Sequence, residues 1–158
     1  MPAVSLERLP ELSGQPLGHT EWREMTQDRV DAFADVTEDH NYIHVDPERA
    51  KATPFGTTIA HGFLTLSMLT HLSAGTSSAP PNPAKYEGVM MGINYGFNKV
   101  RFPAAVPTGT RVRARAELVS VEELGDGWWH VVTKFTVEGE GQEKPVCVAE
   151  AVGRALID

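Results

Sequence analysis

Apolar positions fall into two regimes along the chain. Up to about residue 72 they recur at helical spacing or in short blocks, and from residue 88 they fill long β-rich runs. The first 19 residues show little periodicity and read as an irregular arm, and 20–25 could form a short strand. Thr26 suits a helix N-cap, with Asp28 near the positive end of the dipole. Val30, Phe33, Ala34 and Thr37 follow at helical spacing and predict a helix of roughly ten residues. Residues 38–44 break the pattern with polar turn-formers and read as a loop. Asp46-Pro47 then reopens a short helix, because proline is tolerated at the first helical position. Residues 61–72 are apolar on nearly every face, which predicts a helix enclosed by other structure. The Pro- and Ser-rich stretch 74–86 reads as a long loop or lid.

Four β-rich runs follow, at 89–102, 111–124, 128–137 and 145–157, separated by glycine-bearing turn signals. Helices first and consecutive strands afterwards give an α+β order. A curved antiparallel sheet of about five strands, wrapped around one long apolar helix, with short helices before it, satisfies both halves. That is the single hot-dog arrangement, expected over 20–158.

Composition narrows the classes without naming a chemistry. At 158 residues one core suffices, so no disulfide or metal staple is needed. Fourteen Lys and Arg against 21 Asp and Glu leave a net charge of −7, which argues against a general nucleic-acid binder. The single cysteine, Cys147, lies in an apolar run and reads as a buried, inert thiol. No basic region followed by an apolar run marks a signal peptide, and no apolar stretch nears the ~18 residues of a membrane span. The expectation is a soluble cytoplasmic protein.

The densest polar cluster is Asp39-x-Asn41-x-x-His44. A carboxylate and an imidazole so spaced in a loop can face one pocket, hold a water and exchange protons with it. Asn41 can lock the loop or one carboxylate oxygen. The competing reading is a capped turn in which Asp39 and Asn41 bond only to nearby backbone. A second cluster, Ile59-Ala60-His61-Gly62-Phe63, opens the apolar helix. Free N–H groups there favour a developing oxyanion, and glycine allows close approach of a ligand. Taken alone, Gly62 is better explained as relief of crowding where the helix meets the sheet.

Phe33-Ala34-Asp35-Val36-Thr37-Glu38-Asp39-His40-Asn41-Tyr42-Ile43-His44-Val45-Asp46-Pro47 resembles the hydratase-2 motif of MaoC-like (R)-specific enoyl-CoA hydratases, with Tyr42 where proline is usual. Thr57-Thr58-Ile59-Ala60-His61-Gly62 is similar to that family's second segment. Ile93-Asn94-Tyr95-Gly96-Phe97-Asn98-Lys99-Val100-Arg101-Phe102-Pro103 resembles the nodulation-protein-N branch of its single-hot-dog members. The resemblance implies reversible hydration of a trans-2-enoyl-CoA to a (3R)-hydroxyacyl-CoA, with no metal or redox cofactor. Asp39 and His44 would activate the water and return a proton to C2, and the Gly62 amide would stabilise the thioester oxygen. Asn41, His61, Thr70, Asn98, Lys99 and Arg101 are the supporting or substrate-binding candidates, Thr70 standing where related hydratases can carry a serine. An acyl-CoA substrate and a homodimer are the expected partners, with no nucleic acid and no membrane.

Other readings compete. His40, His44 and Asp46 are spaced somewhat like metal ligands, but the stretch between them is a loop and supplies no further ligand group. Arg111, Arg113 and Arg115 form a basic row on one strand face, read as solvated before it is read as a phosphate contact. Lys99 and Arg101 compete with that row for the CoA phosphates. The rival functions are thioester hydrolysis on the same fold and acyl-CoA binding without catalysis.

Overall fold

The computed structural model describes residues 11, 13–14, 16–74 and 89–157. The long loop expected over 74–86 falls almost entirely outside them, as do the first ten residues of the arm. In chain order the elements are β1 (Pro16–His19), β2 (Arg23–Glu24), α1 (Gln27–Thr37), α2 (Tyr42–Val45), α3 (Pro47–Ala50), α4 (Gly62–Ser67), α5 (Leu69–Ala74), β3 (Val89–Arg101), β4 (Arg111–Gly125), β5 (Trp128–Gly139) and β6 (Cys147–Ile157). The sheet runs β1-β4-β5-β6-β3, with β2 also on β4, and its strand pairs are antiparallel.

The helix enclosed by the sheet is the expected one in position but not in continuity. It is two short helices joined at Met68, where Met68 N–H donates to Leu64 O and Leu72 N–H to Met68 O. Apolarity on every face made the stretch read as one helix and gave no sign of this joint. Leu64, Met68, Leu69 and Leu72 pack into one core with Ala114, Ala116, Phe135, Val137, Cys147 and Ala149. The strand residues facing the helices are largely small or β-branched, which lets the sheet curve closely around them. Burial pushes the Cys147 thiol up to about 11, so the inert reading holds.

Two local expectations shift. The segment 20–25 is not one strand. Pro16–His19, the end of the stretch read as irregular, pairs with β4, and only Arg23–Glu24 pairs farther on. Short edge strands such as these are set by the partner's open hydrogen bonds, which no local periodicity announces. The polar stretch 38–44 likewise ends in the one-turn helix α2, because Asn41 caps it by accepting from Ile43 N–H at 3.4 Å.

Candidate active site

Three segments converge beside the start of α4. Thr26 caps α1 by accepting from Arg29 N–H, as its sequence position predicts. The helix ends at Glu38, whose φ of 62° lies in the left-handed region. That turn reverses the chain and delivers Asp39. Asp46 then caps α3, so the short α2 carrying His44 is held between capped turns. The third segment, 58–62, lies across α2: Ile59 N–H donates to Ile43 O at 2.9 Å.

His44 is buried, with 8% of its surface exposed, and its Nδ1 lies 2.7 Å from Ile59 O. A carbonyl only accepts, so Nδ1 carries the hydrogen and the neutral ring keeps its lone pair on Nε2. His61 is 3% exposed and stacks on His44 with ring centroids 3.8 Å apart. Its Nε2 donates to the Asp39 backbone carbonyl at 2.9 Å and lies 3.9 Å from the Asp39 carboxylate. Its Nδ1 is buried without a hydrogen-bond partner. The Asp39 side chain is 57% exposed, so the cluster has one open side. Burial holds the His44 imidazole below 6.5. The bond to Ile59 O opposes that shift, the neighbouring His61 reinforces it, and Asp39 opposes it again.

Asp39, His44 and His61 each offer one ligand atom, and these atoms lie within 4.8 Å of one another. Among the described residues this is the one trio of such groups close enough to hold a metal ion. The trio weighed from sequence is dispersed: His40 bonds Asp35 at 2.9 Å on the surface, and Asp46 accepts from Arg49 N–H at 3.0 Å.

Gly62 opens α4, where the first N–H groups of a helix have no partner within it. A Cβ at this position would meet the Phe102 ring at 3.0–3.1 Å. The crowding explanation for the glycine is therefore correct, and it coexists with an amide at the helix start. Phe63 and Phe102 sit edge to face with centroids 6.2 Å apart, both exposed, beside the start of α4. The remaining candidates lie farther along the chain. Thr70 is exposed on α5, its hydroxyl donating to Ser67 O at 2.9 Å. Asn98, Lys99 and Arg101 are exposed on β3, which ends just before Phe102.

The arginine row is spent on glutamates. Arg111 pairs with Glu140 through Nε at 2.7 Å, while Arg113 and Arg115 both pair with Glu138. Sequence reasoning missed a different residue, Gln27. Its carboxamide nitrogen donates to His44 O at 2.8 Å and its oxygen accepts from Thr58 at 2.6 Å. A signal was present: Gln27 lies one helical turn before Val30, on the stripe that buries Val30 and Ala34. A polar group on a buried stripe needs a partner.

A stacked, largely buried histidine pair with a carboxylate at its open edge lies at the start of a helix packed against an antiparallel sheet, and that architecture is of the hot-dog class. The sequence agrees with that class: residues 9–139 match the family model described as MaoC like domain. The chain belongs to the MaoC-like dehydratase family. It is 51% identical over 150 residues to the 3-hydroxyacyl-thioester dehydratase Z of Mycobacterium tuberculosis, covering 95% of each chain. It is 45% identical over 150 residues to nodulation protein N of Rhizobium leguminosarum bv. viciae, covering 94% of this chain and 89% of that one. Among solved structures, the (R)-hydratase of A. caviae involved in PHA biosynthesis superposes with a TM-score of 0.66 at 25% identity, covering 89% of this chain and 94% of that one. Among the described residues no helix is long and apolar enough to cross a membrane.

Proposed function

We propose that the protein is an (R)-specific enoyl-CoA hydratase, adding water reversibly across a trans-2-enoyl-CoA to give a (3R)-hydroxyacyl-CoA. The observation that carries this reading is the tautomer of His44. With Nδ1–H committed to Ile59 O, the Nε2 lone pair is left for a water, and an Asp39 carboxylate oxygen lies within 4.8 Å of a His44 ring nitrogen, near enough to share it. The water oxygen bonds to C3 as its proton passes to the pair. The C2=C3 π electrons move toward the thioester carbonyl, whose oxygen gathers negative charge opposite the Gly62 N–H. The same pair then returns a proton to C2 on the same face, and the thioester carbonyl re-forms. These steps consume no cofactor. Burial keeps His44 neutral at working pH, as a base must be. The names of the dehydratase and the (R)-hydratase reported above support both the reaction and its hand.

Asn41 acts here by capping α2 and thereby fixing the turn between Asp39 and His44. His61 supports both groups, through its stack on His44 and its bond to the Asp39 carbonyl. Lys99 and Arg101 are the cations assigned to the CoA phosphates. They stand on the strand that leads into Phe102, whereas the alternative arginines are already paired.

The working unit is a homodimer. Among the described residues β3 is a 13-residue edge strand, with β6 on one side and no strand on the other. It exposes Met90, Met91, Ile93, Tyr95 and Phe97. A long apolar edge is an association surface unless something covers it. Sedimentation should give twice the mass of the chain, and Ile93→Lys should shift it toward the monomer.

The decisive experiment follows loss of enoyl absorbance over enoyl-CoAs of increasing chain length, with chiral analysis of the product. Turnover to the (3R) alcohol is expected. Release of free thiol would replace this reading with thioester hydrolysis, and acyl-CoA binding without either reaction would leave a binding protein.

A further inference from the structure

A connected polar network meets His44 at its main chain. Gln27 Nε2 carries two hydrogens, and both are used: one on His44 O at 2.8 Å, the other on Asp31 Oδ1 at 2.7 Å. Gln27 Oε1 accepts from Thr58 Oγ1 at 2.6 Å. The Thr58 hydroxyl, having given its one hydrogen to Gln27, receives one from Thr108 Oγ1 at 2.8 Å. The 107–108 segment is tied in as well, through Thr108 N–H on Thr58 O at 2.9 Å and the bridge between Ile59 and Pro107. The orientation of the amide is dictated by its surroundings. Turned over, Gln27 would set its oxygen against a carboxylate and a carbonyl, neither of which can donate.

These bonds close a ring. Gln27 holds the backbone of His44; the His44 ring donates to Ile59 O; Ile59 follows Thr58; and Thr58 returns to Gln27. One carboxamide therefore fixes both ends of the imidazole, the chain that carries it and the segment that carries its acceptor. Thr58 is 1% exposed, so solvent does not readily replace its part of the ring. We propose that Gln27 is a positioning residue for the reaction, acting through Thr58 to hold the His44 ring with Nε2 aimed at the open side. The inference rests on the hydratase reading for its kinetic consequence and on the geometry alone for its structural one. A misplacement of about 1 Å can cost roughly 10²-fold in rate, so a loosened ring is expected to act on kcat.

The test compares substitutions that separate hydrogen bonding from packing. Gln27→Glu keeps shape and removes both donors. Thr58→Val keeps volume and removes the hydroxyl, whereas Thr58→Ser keeps the hydroxyl and loses a methyl. If the ring of bonds positions His44, Gln27→Glu and Thr58→Val should lower kcat for crotonyl-CoA about 10- to 100-fold with KM changed by about twofold or less. Thr58→Ser should keep kcat near wild type even where its melting temperature falls as far as that of Thr58→Val. The opposite order, with Thr58→Ser the worse catalyst, makes the role one of packing and overturns the proposal. The second readout needs no substrate: the NMR resonance of the His44 Nδ1 proton, sheltered against Ile59 O, should broaden or shift in Gln27→Glu. Either an unchanged resonance or an unchanged kcat in Gln27→Glu overturns it too. Should the wild type show no turnover at all, the hydratase reading fails and the resonance alone decides whether Gln27 positions His44.

Discussion

Two polar clusters of this molecule use their hydrogen-bonding capacity in opposite ways. On the outer strand face, Arg111, Arg113 and Arg115 meet Glu138 and Glu140, and the Arg113 guanidinium also lies 4.5 Å over the Trp22 ring. Burial pushes the Glu138 carboxyl up, and Arg113 and Arg115 together more than reverse this, leaving it below the ordinary value. At the site, by contrast, His44 keeps an unspent nitrogen, His61 keeps a buried one without a partner, and Asp39 stands half out in solvent. The first cluster contains more charge, and from sequence it was the more conspicuous basic feature. The second is the one to which we assign the chemistry, because a group whose bonds are all satisfied has nothing left to offer a substrate.

The largest effect should come from removing what the site leaves unspent. Asp39→Asn and His44→Gln are each expected to cut hydration of crotonyl-CoA by about 10²–10⁴-fold, the range of a positioned acid or base. Circular dichroism should show both variants folded. Near-normal turnover in either would remove that residue from the mechanism. Gly62→Ala ranks next. The new methyl meets the Phe102 ring at 3.0–3.1 Å, so helix start or ring must give by a few tenths of an ångström. A displaced oxyanion donor costs a share of the roughly 10²–10³-fold that such donors supply, and about tenfold in kcat is the expected loss. Phe102→Leu in the same background, by making room, should recover part of it.

The acid side of the pH profile sharpens the comparison further. Because His44 is held below 6.5, the acidic limb of kcat/KM should lie below that value. Stability follows the same group. The unfolded chain takes up a proton near 6.5, while folded His44 resists it, so unfolding free energy should fall as pH drops from 6.5 toward the folded value. His61→Phe keeps a ring against His44 and removes the neighbouring imidazole that reinforces the shift. The limb should then move upward, and a profile unmoved by the change would deny His61 its supporting part.

What the sequence disclosed follows from the range of the forces involved. The cap at Thr26, the Asp46-Pro47 opening of α3 and the β-rich runs are local, and each was readable from neighbouring residues. The motif bearing Asp39, Asn41 and His44 was equally local, and so was the helix start at Gly62. The contact between His44 and His61 was not, since 17 positions of chain separate two rings that stack at 3.8 Å. The same holds for Gln27 and Thr58, whose 2.6 Å bond joins residues 31 positions apart. The joint at Met68 was hidden for another reason: a stretch apolar on every face carries no periodic mark of where one helix ends and the next begins. The pairing of Pro16–His19 was hidden because the hydrogen bonds that organise it belong to β4.

The smallest expected effect tests the other half of the comparison. If the arginine row is structural and fully engaged, Arg115→Ala should leave kcat and KM for an enoyl-CoA unchanged and cost about 1 kcal/mol of stability or less, the range of exposed pairs. Lys99→Ala and Arg101→Ala should instead raise KM for the CoA thioester, since no described glutamate or aspartate forms an ion pair with either. Added salt should raise KM in wild type and have less effect in the Lys99 and Arg101 variants, because screening acts on the charges that meet the phosphates. An acidic protein binding a polyanion must do so through a few local cations. A rise in KM with Arg115→Ala and none with Lys99→Ala would move that binding to the sheet's paired face. It would also show that an ion pair with glutamate can open for a phosphate.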